Sequence, residues 1–286
     1  MRAIFIAVGL ILFFALVYWT GMMVNFPGGA GSRYIESLVN RDRRIVLRMS
    51  PLELKWNRLV AERVVLDAMV GNSVRPIITF HDAEIPLSFG LFNGLTFRAT
   101  TAGQGRLEGF WPWGEKDARI DVTALRLAEV PIAQWLYPAR IDGELTIRST
   151  LAKSAGVQNA WPSAQIRGQG QNISLEGIEF MGVNLPATHL EHLGIQLRLG
   201  QMIDVEQFSL RGDIQGSIRG TVTPVIQQPE RTALNLDVEL AFRPEWIDDW
   251  GDLAPMLKAY LDQGRLVGTL RGTPARPTFR KTKKRR

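Results

Sequence analysis

Apolar side chains recur at every second position along much of this chain, and that spacing constrains its fold more than any other feature. The clearest runs are Ile120, Val122, Ala124; Ile141, Leu145, Ile147; Leu193, Ile195, Leu197, Leu199; and Leu234, Leu236, Val238, Leu240, Phe242. Successive side chains of a strand point to opposite faces, so a period of two collects the apolar members on one side. Between them stand Asp121, Thr123, Gln196, Arg198, Asn235, Asp237 and Glu239, which leaves the other side to water. A parallel sheet buried on both faces would show unbroken apolar runs instead. The pattern predicts an antiparallel sheet with one packed and one wet face.

Glycines fall inside these runs as well as between them: Gly103, Gly105, Gly109, Gly143, Gly168, Gly170, Gly212, Gly216, Gly220, Gly264, Gly268 and Gly272. A strand glycine marks a bulge, a tight bend or a close backbone approach, besides the ordinary hairpin turn. Such regular use suits a long and strongly curved sheet. A weak internal repeat points the same way. Residues 127–135, with Pro131 and Trp135, lead into 141–147. Residues 242–250, with Pro244 and Trp246, lead through a helical stretch at 253–261 into 264–272. Repetition of one unit is how elongated β-architectures grow.

The N-terminus follows another rule. Residues 4–24 contain no charged side chain and include Ile4, Phe5, Leu10, Phe13, Phe14, Tyr18 and Trp19. About 20 such residues span a hydrocarbon layer of about 30 Å, and Tyr18 and Trp19 sit where an interfacial belt lies. A cleaved signal peptide competes with this reading, but its apolar core runs to only about 7–15 residues before a small-residue site. The small residues at 28–32 come after Pro27 and match such a site poorly, so residues 1–27 are expected to be an uncleaved single-pass anchor. Arg33, Arg41, Arg43 and Arg44 beyond the span outnumber Arg2 before it. Long domains translocate largely regardless of such charges, and the expectation is an outside domain. After the anchor, 32–40 reads as a short amphipathic helix capped by Ser32, with Tyr34, Ile35, Leu38 and Val39 on one side. Helix and linker fill 28–50.

The 286 residues contain no cysteine, which excludes disulfides, thiolate catalysis and thiolate metal sites. The net charge of +6 is concentrated in Arg280, Lys281, Lys283, Lys284, Arg285 and Arg286. No aromatic residue is interleaved with them, which argues against a nucleic-acid platform, and 281–286 reads as a solvated basic tail. Catalytic patterns are missing: there is no nucleophile elbow, no phosphate-binding loop and no H-E-x-x-H. His189 and His192 flank Glu191 at a predicted turn-to-strand transition, where no helix would bring them to one face. Asp248 and Asp249, near Trp246 and Trp250, suit the polar start of a helix. No catalytic residue, metal ligand or cofactor is expected.

Aromatic residues are more suggestive. Trp111 and Trp113 flank Pro112, and Trp135 precedes Tyr137 and Pro138. Tryptophan beside proline closes the end of a sheet or forms a contact surface. Residues 85–95, with Leu87, Phe89, Leu91 and Phe92, are the most apolar stretch outside the anchor. They fit a buried helical turn or an open apolar patch for a partner or a lipid.

Taken in order, the anchor, Pro86 to Gly94, Gly105-Arg-Leu-Glu-Gly109, the strand 141–147, the glycine-spaced 210–220 and the closing 264–277 resemble the type II secretion system protein N (GspN) family. More distantly they resemble AsmA-like and TamB-like proteins. The resemblance covers most of the chain. It implies a bacterial inner-membrane accessory subunit without catalytic residues, carrying a periplasmic, elongated, curved antiparallel sheet that forms an AsmA-like groove. The fold expected is mostly β, with a few short helices and a sheet domain over 51–280, built as two similar halves at about 51–155 and 156–280. Two function classes follow. One is an accessory subunit of general protein secretion, contacting other secretion-system subunits. The other is a lipid-binding or lipid-transfer protein shielding phospholipid acyl chains. In both, Leu87, Phe89, Leu91, Phe92, Trp111, Trp113 and Trp135 are the candidate contacts.

Overall fold

The computed structural model describes residues 21, 27–40, 45–70, 73–87, 93–114, 117–130, 140–152, 163–177, 179–180, 183–184, 186–225, 231–274 and 276–281. Ile4, Phe5, Leu10, Phe13, Phe14, Tyr18 and Trp19 of the expected anchor lie outside them, as do Phe89, Leu91, Phe92, Trp135 and the tail from residue 282. Among the described residues no helix is long and apolar enough to cross a membrane.

The chain is mostly β. Helix α1 (Gly28–Val39) precedes β1 (Ile45–Met49), β2 (Glu53–Lys55), β3 (Arg58–Val70), β4 (Ser73–Pro86), β5 (Gly94–Thr100), β6 (Arg106–Pro112), β7 (Ala118–Arg126) and β8 (Arg140–Leu151). There follow β9 (Ala164–Glu176), a small ribbon of β10 (Glu179–Phe180) and β11 (Val183–Asn184), then β12 (Thr188–Leu199), β13 (Ile203–Gly212), β14 (Ile214–Thr223) and β15 (Ala233–Phe242). Helices α2 (Pro244–Asp248) and α3 (Ala254–Tyr260) separate β15 from β16 (Arg265–Thr273) and β17 (Arg276–Lys281). Fifteen strands form one antiparallel, curved sheet in the order β1-β3-β4-β5-β6-β7-β8-β9-β12-β13-β14-β15-β16-β17, with β2 also on β3. Larger strands adjacent in sequence are adjacent in space, the simplest way to pair antiparallel strands. At about 4.8 Å per strand, the sheet runs about 60 Å across.

A line of bulges creases this sheet. Asp82 in β4, Ala124 in β7, Gly143 in β8, Asn172 in β9 and Gly212 in β13 all have positive φ. Register shifts fall beside them, between Val122 and Leu125, Asp142 and Glu144, and Leu190 and His192. An extra residue in one strand would turn the rest of its apolar set to the wrong face unless the backbone absorbs it. The bulge does so. Leu125, not Ala124, follows Val122 on the apolar side, pairing with Leu145. The same three-residue step carries Gly170 to Ile173 and Leu190 to Leu193.

Both edges are managed. At the first, the stripe Gly28, Ser32, Glu36 and Asn40 of α1 faces β1 and Leu52. The Asn40 side chain accepts from Leu47 N (2.6 Å) and donates to Leu47 O (3.1 Å), and Glu36 accepts from Met49 N (2.7 Å). These side chains do for β1 what a further strand would. The helix therefore differs from the expected one in start and in face. It begins at Gly28, whose carbonyl accepts from Leu52 N (3.2 Å) and whose Cα abuts the Leu52 carbonyl so closely that a Cβ would overlap it. Ser32 is no cap; it sits one turn in, with its hydroxyl donating to Gly29 O (3.3 Å). Tyr34 is 64% exposed and Val39 is also exposed, because a strand edge asks its cover for hydrogen bonds rather than apolar surface. The last edge, β17, carries Arg276, Pro277, Arg280 and Lys281, residue types that discourage further pairing.

A small buried cluster closes one end of β12–β15. Trp246, Ile247 and Ala254 pack with Ile214, Phe242, Trp250, Leu257 and Leu261. Pro244 opens α2 at a position that needs no N–H donor. Asp248 and Asp249 correct the expectation: they stand at the end of α2 rather than its start, and Asp248 accepts from Lys258 Nζ (2.7 Å) across to α3. His189 and His192 lie in the first five residues of β12, where the chain enters the strand as expected, with the bulge at Glu191 between them. Ile85 and Pro86 end β4, and Gly94 and Leu95 begin β5, so both ends of the apolar stretch 85–95 are strand rather than helix.

Candidate functional site

Directly paired residues of an antiparallel sheet share a face, so the register can be followed across the molecule. Starting at Ala99, one row reads Leu107, Val122, Ile147, Gly168, Ile195, Phe208, Ile218, Val238 and Gly268. It crosses ten strands without a polar side chain. Its neighbour reads Phe97, Gly109, Ile120, Ser149, Ile166, Leu197, Val205, Gly220, Leu236, Leu270 and Phe279. Ser149 is the one polar member, and its hydroxyl donates to the Ile120 carbonyl (2.8 Å), which takes it out of play.

Two further rows flank these. One runs Leu125, Leu145, Gly170, Leu193, Leu210, Gly216, Leu240 and Leu266. The other runs Ala118, Leu151, Ala164, Leu199, Ile203, Val222 and Leu234. Along β9 the four rows pass through Ala164, Ile166, Gly168 and Gly170, which sets the ribbon's width at about 20 Å at about 3.4 Å per residue. Its length over ten strands is about 43 Å.

Glycine shapes the surface. A Cβ at Gly109 would overlap the Phe97 ring, and one at Gly268 would lie 2.5 Å from the Phe279 ring. Each ring covers the glycine of the adjoining strand, which levels the face. Among the described residues, the one cluster of buried side chains is the cap around Trp246, and most members of the four rows are only part-buried. An apolar face of this extent exceeds the few hundred Å² that a monomer ordinarily exposes.

Of the expected contacts, three fall among the described residues. Leu87 is half-buried at the end of β4, its N–H donating to Asn57 O (2.6 Å). Trp111 follows Leu107 and Gly109 at the same parity and faces Leu95, so it stands at the rim of the apolar face, 42% exposed. Trp113 lies just past β6 and is 55% exposed, its N–H donating to Asn93 O (3.1 Å). Pro112 between them is fully buried opposite Gly94. Sequence reasoning singled out these rim aromatics and passed over the centre of the ribbon, although the alternation at Leu193–Leu199 was the signal for it. Among the described residues no three His, Asp or Glu side chains gather as metal ligands. No family model, curated protein or solved structure matches the chain.

Proposed function

We propose that this chain is a non-enzymatic, membrane-anchored lipid-binding protein, akin to the AsmA-like group, in which the apolar ribbon shields phospholipid acyl chains from water on the periplasmic side of a bacterial inner membrane. The observation that carries this reading is the uncharged, part-buried face formed by the four rows. A packed scaffold would cover such a surface, whereas a lipid carrier needs it open. Each methylene withdrawn from water is worth about 0.8 kcal/mol, so about ten half-covered methylenes contribute about 4 kcal/mol before ordering costs. Residues 1–27 supply the anchor in this reading, and α1 ties the β1 edge to it.

Mass spectrometry of lipid carried through purification of the full chain tests the proposal. Phospholipid is expected at a reproducible ratio, falling when Ile195 is replaced by Glu. Equal lipid in both preparations, or none in either, would overturn it. A second reading, an accessory subunit of type II secretion, draws on the exposed Trp111 and Trp113, since tryptophan at a rim is a common anchor of protein contacts. A photo-cross-linker at position 113 that captures a secretion-system subunit in cells would favour that reading.

A further inference from the structure

The opposite face has a feature of its own. Across β7, β8, β9, β12 and β13 it forms a concavity of about 790 Å³. Small residues make its floor: Thr146, Gly194 and Ser209 share one cross-strand row with Gln169, and a Cβ at Gly194 would overlap the Ser209 hydroxyl. Around the floor stand Arg119, Arg148 and Arg167, with Asp121 as the one carboxylate in the lining.

Pairing makes these arginines unusual. Arg148 and Arg167 are directly opposite each other on adjacent strands, an arrangement of like charges that destabilises a sheet. Some arginines of the molecule are neutralised, as in Arg58–Glu84, Arg98–Glu108, Arg198–Glu206 and Arg243–Asp213. Among the described residues Arg119, Arg148 and Arg167 make no ion pair, and Asp121, the cross-strand neighbour of Arg148, makes none either. Three exposed guanidinium groups therefore converge on one hollow with a surplus of positive charge. The amides of Gln165, Gln169 and Gln196 line the same space.

We infer that this hollow binds a phosphorylated sugar or polyol free in solution. Guanidinium forks fit phosphate oxygens two at a time, and side-chain amides and hydroxyls both donate to and accept from hydroxyl groups. The volume lies within the range of small-molecule sites and is too large for a lone phosphate. The strands form one sheet with the apolar ribbon on its reverse, so a lipid whose chains lay along that ribbon would not present its headgroup here. This site stands independently of the lipid reading.

Calorimetric titration of the full chain with inositol 1-phosphate, inositol, inorganic phosphate and phosphatidylinositol vesicles tests it. Inositol 1-phosphate is expected to bind more tightly than phosphate or inositol alone, and more weakly as salt rises. Arg148→Gln and Arg167→Gln should each weaken it about tenfold or more, and Arg167→Lys several-fold, since lysine keeps the charge and loses the fork. Relief of the like-charge pair should leave the thermal midpoint of either glutamine variant unchanged or raised, with co-purified phospholipid unaltered. Equal binding of phosphate and inositol 1-phosphate, binding to vesicles alone, or full affinity in both glutamine variants would overturn the inference.

Discussion

Trp246 offers the sharpest test of how the sheet is closed at one end. It is 6% exposed, stacks on Phe242 at a centroid separation of 5.4 Å, meets Trp250 edge-on at 5.4 Å, and donates from Nε1 to the buried Thr188 hydroxyl at 3.0 Å. Trp246→Ala removes about 200 Å² of buried ring, about 5 kcal/mol at about 25 cal/mol per Å². Residual structure in the unfolded chain lowers that to about 3–4 kcal/mol, and the lost hydrogen bond restores about 1 kcal/mol. The expected cost is about 4 kcal/mol, or a fall in thermal midpoint of about 8–16 °C. Urea unfolding of the full chain in detergent, followed by near-ultraviolet circular dichroism, measures it at constant slope. Trp246→Phe isolates the donor and should cost about 1–2 kcal/mol. Combined with Thr188→Val it should show coupling of about 1 kcal/mol. A loss below about 1 kcal/mol for the alanine variant would mean that α2 does not hold this end of the sheet, and the reasoning from ring burial would fail.

Four further outcomes follow from the same geometry. Ile195→Glu should cost only about 1–2 kcal/mol, because its side chain is part-buried on an open face, and should abolish lipid retention; failure to fold would mean that the face is covered. Gly216, at φ +141 with its Cα against the Glu239 carbonyl, should tolerate alanine badly, losing about 3 kcal/mol in urea titration. Gly251→Ala, where φ is +54 and space is open, should lose about 1 kcal/mol. Asn40→Ala should speed hydrogen exchange at the Leu47 amide at least tenfold and lower stability by about 1–2 kcal/mol, since one side chain satisfies both backbone groups; unchanged exchange would contradict the edge-capping role.

Much of the architecture was legible in the order of residues. Alternation such as Leu193, Ile195, Leu197, Leu199 sets strand, face and antiparallel pairing at once, because side-chain direction along a strand is a local property. Strand glycines announced curvature for the same reason: the missing Cβ acts where it stands. What lay beyond the sequence depended on neighbours distant in the chain. Ala124 reads as the next apolar position after Val122, yet the bulge hands that place to Leu125, and only pairing with β8 decides it. Likewise Tyr34 and Val39 looked like the packing side of α1, and the helix instead offers Glu36 and Asn40, because what it meets is a strand edge with unpaired backbone groups.

Local pattern, then, determined that this chain makes a long one-sided antiparallel sheet with an apolar N-terminal run. Tertiary structure decided that four rows align into an unbroken ribbon, that three arginines meet in one hollow on the reverse, and that a helix closes the first edge. Register and close approach join residues tens of positions apart, and no window of sequence contains both partners.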